Sequence, residues 1–224
     1  MLERVGKQSP YHHGDLRSAL IAASLALIDE GGVQALSLRK AAKKAGVSAA
    51  APYHHFESRS ALLAAIAVEG FKLLNEAMAC ARTDAMSCGE GMGACGRSYV
   101  RFAREHPAYF RVMFRPELAD PTEFPELEEV AAPVFELLVA TVIEGQESGE
   151  VPPGETQSYV LLAWSIAHGL SSLIIDGPLG AGFSKIDVPV DQLADVVIGT
   201  LRQLFQGAAR ARASAPPSAP RAES

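Results

Sequence analysis

Four of the six histidines fall in the first sixty residues, and they come as two adjacent pairs, His12-His13 and His54-His55. An imidazole can ligate a metal, move a proton or donate to an anion, and its neighbours decide which. A metal site is disfavoured, because adjacent histidines diverge on a helix and no Cys, Asp or Glu is spaced to complete a ligand set. Cys80, Cys88 and Cys95 are odd in number and lack C-x-x-C spacing, so they read as unpaired structural thiols. No G-x-S-x-G, P-loop, dinucleotide fingerprint or H-E-x-x-H occurs, so neither an enzyme nor a bound cofactor is expected. Tyr53, His54, His55 and Arg59 follow Arg39, Lys40, Lys43 and Lys44 closely. Phenol, imidazole and guanidinium all donate to phosphate oxygens.

The elements that would position these donors are legible in Ser37 to Phe56, SLRKAAKKAGVSAAAPYHHF. Ser37 is a good N-cap, and Leu38, Ala41, Ala42 and Ala45 recur at three- and four-residue spacing as one small apolar face. Gly46 ends that helix, since glycine alone enters the left-handed conformation without a Cβ penalty. Val47 plugs the angle, and Ser48 can cap a second helix starting at Ala49. Pro52 falls in its first turn, where the missing N–H has no intrahelical partner. Helix, glycine turn and second helix with small residues at its start form a helix-turn-helix pattern, whose second helix can enter the DNA major groove.

The order G-V-S-x-x-x-x-Y-x-H-F-x-x-(K/R)-x-x-L-L, from Gly46 through Arg59 to Leu62-Leu63, resembles the DNA-binding domain of the TetR family of bacterial repressors over roughly residues 10–65. The resemblance implies phosphate contacts from Tyr53 and His55. Ser37, Arg39, Lys43 and Arg59 are further phosphate candidates, because helix N-termini and cations both favour anions. Ser48, Ala49, Ala50 and His54 complete the expected DNA surface, with base reading assigned to Ala49, Ala50 and His54. Alanine offers a methyl contact and close backbone approach, so much of the specificity should come from DNA shape, with Arg4, Lys7 or His12 reaching a minor groove. Phe56 reads as core. The sequence departs from the family pattern at Pro52, in the run Ala49-Ala50-Ala51, and in arginine at 59 where lysine is usual.

Charge distribution agrees. The whole chain of 224 residues carries −6, but residues 1–60 hold eight Lys/Arg against five Asp/Glu, whereas residues 61–209 hold nine against twenty. A basic end on an acidic body suits an electrostatically oriented DNA binder.

Residues 1–14 read as a flexible arm, 15–60 as the DNA-binding domain, 61–208 as an effector-binding and dimerisation domain, and 209–224 as a disordered tail. The fold expected is all-α, with about nine helices. Asp15 is placed to cap a first helix from Leu16 to about Glu30, and a longer helix should run over 57–82. Further on, helices are expected up to His106-Pro107, over Tyr109 to Phe114, on to Gly149, over Thr156 to Ile175, and from about Pro189. Pro152-Pro153-Gly154 is a clear break. No apolar run reads as a membrane span and no signal-peptide core is visible, so a cytoplasmic protein without a membrane partner is expected.

The run W-S-I-A-H-G-L at 164–170 resembles a TetR subgroup with a Trp-His-Gly signature in its C-terminal domain. Phe110, Met113, Phe114 and Trp164 are expected to wall a cavity for a mostly apolar small-molecule effector, with His168 as its polar handle; a solid core is the alternative. Helices 156–175 and 189–206 carry more apolar surface than one body covers. The resemblance implies that they pair with a second copy, with Leu170, Leu173, Ile174, Val197, Leu201 and Leu204 at the homodimer interface. The function expected is a ligand-responsive transcriptional regulator, a repressor, that binds a pseudo-palindromic double-stranded operator as a homodimer and is released by a mostly apolar small molecule. A helical small-molecule carrier with an incidental basic head is the alternative, and it leaves the Ser37–Phe56 order unexplained.

Overall fold

The computed structural model describes residues 13–83, 88–115, 119–120, 122–177, 179 and 188–214. Among them every regular element is helical: eight α-helices and two short 3-10 segments, where about nine helices were expected. The expected N-terminal arm and most of the expected tail lie outside the described residues. The chain divides into two compact units, one built from residues up to Gly70 together with Ala108–Leu127, the other from Phe71–Pro107 and from Glu128 onward.

The first unit holds α1 (His13–Gly31), a 3-10 turn (Val33–Ala35), α2 (Leu38–Lys44), a second 3-10 turn (Ala51–His54), the first half of α3 (Arg59–Thr83) and most of α5 (Pro107–Met113). Asp15 therefore lies inside α1 rather than capping it. Gly32, with φ at +72°, turns the chain out of the helix. Leu20 and Ile28 of α1, Ala41 of α2, and Leu62, Leu63 and Ile66 of α3 are fully enclosed, and Phe56 is buried with them. The Arg17 guanidinium lies 5.6 Å from the Phe56 ring centroid, which seats α1 on the end of the helix-turn-helix. Ion pairs bind the surface: Lys44 to Glu30 at 2.6 Å, Arg17 to Glu69 at 3.2 Å and Arg111 to Asp29 at 3.5 Å.

In the second unit α4 (Cys88–Glu105) packs against α7 (Thr156–Ile175) and α8 (Leu193–Ala213), and α6 (Glu126–Glu147) adds Leu138 and Val142 to the same core. Gly149, φ +76°, closes α6, and the Glu150 N–H returns to the Gly145 carbonyl at 2.9 Å. Alanine and arginine are strong helix formers. Accordingly α8 continues to Ala213, beyond the residue where a disordered tail was expected, with Ala209 buried and Arg212 donating to the Pro153 carbonyl.

α7 buries Val160, Ala163, Ala167, Leu170, Ser171 and Ile174 along one side. Among the described residues the other side is left largely uncovered, and Leu161 and Leu173 stay 56% and 47% exposed. Contrary to the sequence reading, this helix is long and apolar enough to cross a membrane, with a mean hydropathy of 1.5; Ser165, His168, Ser171 and Ser172 break up the run without lowering that mean far. In the fold one side of it packs along α4 and α8.

Several hydroxyls inside these helices bond within their own helix. Ser24 donates to Leu20, Thr141 to Leu137, Ser171 to Ala167 and Thr200 to Val196, each to the carbonyl one turn earlier at 2.7–2.8 Å.

Candidate functional site

In the first unit the helix-turn-helix begins as the sequence indicates. Ser37 caps α2, its Oγ accepting the Lys40 N–H at 3.2 Å. Lys44 is the last residue of α2, Ala45 is its C-cap, and Gly46 follows at φ +72°. The Val47 N–H reaches back to the Ala42 carbonyl and the Gly46 N–H to the Lys43 carbonyl, the paired return bonds that terminate a helix on a left-handed glycine.

The second helix differs from expectation. Ala51–His54 is a single 3-10 turn, entered from Ala50 without a side-chain cap. Ala51 bonds back to Ser48, Tyr53 to Ala50 and His55 to Pro52, all three residues apart. Pro52 has no N–H to offer Ser48, so the four-residue bond that would start an α-helix there is missing and the tighter spacing prevails. The result exposes Ser48, Ala49, Ala50, Tyr53 and His54, while Pro52 is buried and His55 half-buried. Small residues at the exposed positions leave the backbone open to close approach.

Tyr53, 52% exposed, shares an open depression of ≈ 400 Å³ with Ser37, Arg39, Glu57, Ser58 and Arg59. The first turns of α2 and α3 both border it, and Ser58 Oγ accepts the Ala61 N–H at 3.0 Å as α3 begins. Helix N-termini and two guanidinium groups suit a phosphate oxygen, with Glu57 as the opposing charge. Lys43 is exposed on α2 outside this depression. Arg59 has a second task that the sequence does not reveal. Its Nη2 donates to the Val33 carbonyl at 2.7 Å and its Nε to the Leu36 carbonyl at 3.0 Å, fixing the turn between α1 and α2.

The second unit contains a narrow, mainly apolar cavity of ≈ 40 Å³. Met78, Met92, Tyr99, Phe135, Leu138 and Trp164 line it, with Gly93 and Gly96 of α4 and with Ile198, Leu201 and Arg202 of α8. It is narrow because α8 lies close on Gly96: a Cβ there would stand 3.1 Å from Ile198. The Trp164 ring meets Phe135 edge-on at 5.3 Å and His168 at 5.5 Å.

Of the expected cavity residues, Trp164 is in place. His168 stands behind the wall, its Nδ1 2.8 Å from the Tyr99 hydroxyl. Burial pushes the Tyr99 phenol well above its ordinary pKa, an effect the Trp164 indole partly offsets, and burial pushes the His168 imidazole down. A protonated phenol beside a neutral imidazole suits O–H donation to Nδ1. Tyr99, rather than His168, therefore lines the cavity, with its hydroxyl engaged by the imidazole. Phe110, Met113 and Phe114 are not among its lining. They belong to the first unit, where the Phe110 and Phe114 rings lie 5.6 Å apart and Met113 packs so close to α3 that a Cβ on Gly70 would stand 2.6 Å from its sulfur. Of the expected interface residues, Leu170, Ile174 and Leu201 are buried in the protomer, Val197 is half-buried, and Leu173 and Leu204 are exposed.

Comparison with known proteins bears on both units. Residues 20–66 match the family model described as bacterial regulatory proteins, tetR family, and residues 92–201 match the tetracyclin repressor-like C-terminal domain. The second match contains Trp164, His168 and Gly169. No curated protein sequence matches the chain. Among solved structures, a Rhodococcus sp. RHA1 protein of unknown function aligns with a TM-score of 0.72 at 32% identity, over 89% of this chain and all of that one. FadR of Bacillus subtilis in complex with stearoyl-CoA aligns at 0.65 and 18% identity, over 82% and 96%. AibR in complex with isovaleryl coenzyme A and operator DNA aligns at 0.67 and 18% identity, over 85% and 98%. Together with the helix-turn-helix and the helical C-terminal unit, these matches show that the chain belongs to the TetR family of bacterial transcriptional regulators, DNA-binding proteins rather than enzymes.

Proposed function

We propose that this regulator is a cytoplasmic homodimeric repressor that holds a pseudo-palindromic operator and lets go when a mostly apolar small molecule enters the second unit. What supports this most directly is one chain holding both an exposed small-residue segment beside a basic depression and, in another unit, an apolar cavity lined by Trp164 and Tyr99. Tyr53, Ser37, Arg39 and Arg59 are the phosphate-binding group, joined by Lys43 and His55. Ser48, Ala49, Ala50 and His54 face the bases.

Dimerisation follows from uncovered apolar surface. Leu161, Leu162 and Leu173 on α7 and Val196 and Leu204 on α8 are exposed in the protomer, and two such faces bury one another about a two-fold axis. Leu173 and Leu204 are its central residues, with Val197 beside them, while Leu170, Ile174 and Leu201 support it from beneath. Two-fold symmetry then places two reading segments in major grooves roughly 34 Å apart, or a multiple of that.

The cavity is far smaller than the roughly 300 Å³ or more of a ligand-filled pocket. Effector entry must therefore push α8 away from α4, and Met78 and Met92 are pliable enough to reshape around a guest. A ligand that needs the expanded arrangement binds it more tightly, and this difference in affinity is what moves the equilibrium away from the DNA-competent state. The test is operator affinity with and without ligands found by thermal-shift screening, in wild type and Trp164→Ala. Release by such a ligand in the wild type, weakened in the variant, is expected. Affinity unchanged by every ligand that binds near Trp164 overturns the reading.

A further inference from the structure

We infer that the effector is an anionic amphiphile, its apolar chain in the cavity and its anionic head on a cluster of arginines in the groove between α4 and α8. This rests on the cavity reading above and adds to it the chemical class of the ligand.

The groove, ≈ 710 Å³, lies in the same unit as the cavity, and Arg97, Arg101, Arg104 and Arg202 line it. The first three stand at i, i+4 and i+7 on one face of α4. Residues 61–209 carry −11 with only nine basic side chains, and four of the nine meet in this groove. A solvated helix face would show cations mixed evenly with that excess of acids. Glu90, Asp191 and Asp195 also line the groove, leaving it one positive charge in excess. Asp195 is taken by Arg97, Nε to Oδ1 at 3.6 Å. Among the described residues neither Arg101 nor Arg104 has an ion-pair partner, and both side chains are exposed. Each offers a planar fork that fits a carboxylate or phosphate through two parallel hydrogen bonds.

Arg202 makes the connection. It is the residue that lines both the groove and the apolar cavity. Half-buried, it borders both compartments, and a long basic side chain at such a boundary can lay its stem along the apolar side with its guanidinium toward the polar one. A molecule anchored by its head at Arg101 and Arg104 would thus pass Arg202 with its chain directed between Gly93, Gly96 and Ile198, where the flexible Arg97 side chain over Gly93 and the Ile198 side chain over Gly96 have to give way. On α8, Arg202 and Asp195 lie roughly half a turn around the helix from Val196, Thr200 and Leu204. The groove is therefore on a different flank of α8 from the exposed apolar face assigned to dimerisation.

The shared chemistry is an acyl chain with an anionic head, from either a free fatty carboxylate or an acyl thioester of a phosphorylated carrier. Calorimetric titration of the full chain with octanoate, octanoyl-CoA, free coenzyme A and octanol separates these. One or both anionic amphiphiles should bind at least about tenfold more tightly than octanol, and should weaken between about 50 and about 300 mM salt. Octanoyl-CoA above octanoate identifies the phosphorylated carrier, and the reverse order identifies the carboxylate. Arg101→Gln/Arg104→Gln, a double change at exposed positions, should remove that advantage while leaving octanol binding and ligand-free operator affinity unchanged. Arg202→Met should weaken the anionic ligands and spare octanol. Equal binding of octanol and the anionic ligands, or undiminished anion affinity in the double variant, overturns the arginine assignment and leaves the cavity standing. If none of the probes binds while the operator is still held, cavity and head-group site both fall.

Discussion

The Arg59 Nη2 donates to the Val33 carbonyl at 2.7 Å, so the first residue of α3 holds the turn that joins α1 to α2. A residue at the edge of the depression proposed to face DNA is thus also a structural clamp, and its substitution has two separable effects.

Arg59→Ala removes two charge-assisted hydrogen bonds to backbone carbonyls and should destabilise the first unit by about 2 kcal/mol or more, alongside any loss of DNA affinity. Arg59→Lys keeps the charge but cannot make the two-pronged contact. It should lose much of the same stability while retaining the salt dependence of DNA binding. Chemical denaturation and binding isotherms at several salt concentrations check both. Equal stability of all three proteins would show that the clamp does not matter.

His168 should make the second unit acid-sensitive. Its ordinary pKa is 6.5, and burial lowers it in the fold. As pH falls through about 6.5 the unfolded chain takes up a proton that the folded chain resists, so stability is full above that value and declines below it, levelling off once the folded imidazole is also charged. His168→Gln keeps a hydrogen-bonding group beside Tyr99 and should flatten the decline. Unfolding midpoints of the two proteins between about pH 7.5 and pH 5 give the comparison, with the other histidines common to both.

Leu204 is 64% exposed on α8, whereas Leu201, one turn earlier, is buried against the cavity. Leu204→Glu should therefore weaken the proposed dimer without unfolding the single chain, raising the dissociation constant by about a hundredfold, or about 2.7 kcal/mol. Sedimentation velocity at micromolar concentration reads this out. A persistent dimer would place the interface elsewhere.

Gly46 has φ at +72°, and a Cβ there would meet no atom within 4 Å. Gly46→Ala should thus cost only the backbone strain, about 1–2 kcal/mol, with no steric clash added. Thermal unfolding measures the cost, and an Ala variant as stable as wild type would mean that the turn relaxes.

These four residues also mark where sequence is readable. Gly46 and Val47 are legible because a left-handed helix end has a local composition, and the Pro152-Pro153-Gly154 break is legible for the same reason. Pro52 is harder: its place in a first turn is compatible with an α-helix, and only the missing bond to Ser48 tips Ala51–His54 into a 3-10 turn. The Arg59 clamp is not legible, since its partners are carbonyls 23 and 26 residues away and a carbonyl leaves no mark in composition. Tyr99 and His168 are 69 residues apart, and a lone tyrosine on α4 reads as ordinary core. The aromatic run of α5 announces burial correctly, yet apolar patterning does not say which core receives it, and Phe110 and Met113 fill the first unit.

The hydroxyls that bond one turn back along their own helices have a mechanical consequence. Thr141, Ser171 and Thr200 satisfy their donors without reaching a neighbour, so α6, α7 and α8 can slide past one another without breaking any of these bonds. Tyr99 to His168, between α4 and α7, and Ser98 to the Ala77 carbonyl, between α4 and α3, act instead as rivets. Both rivets hold α4. α8 is held to α4 by the long, exposed Arg97–Asp195 ion pair and near its end by Arg212 on the Pro153 carbonyl. A guest that wedges the body open should therefore swing α8 about the Arg212 end, breaking the Arg97–Asp195 pair, while α4 keeps its place against α7 and α3: a hinged flap rather than a general swelling.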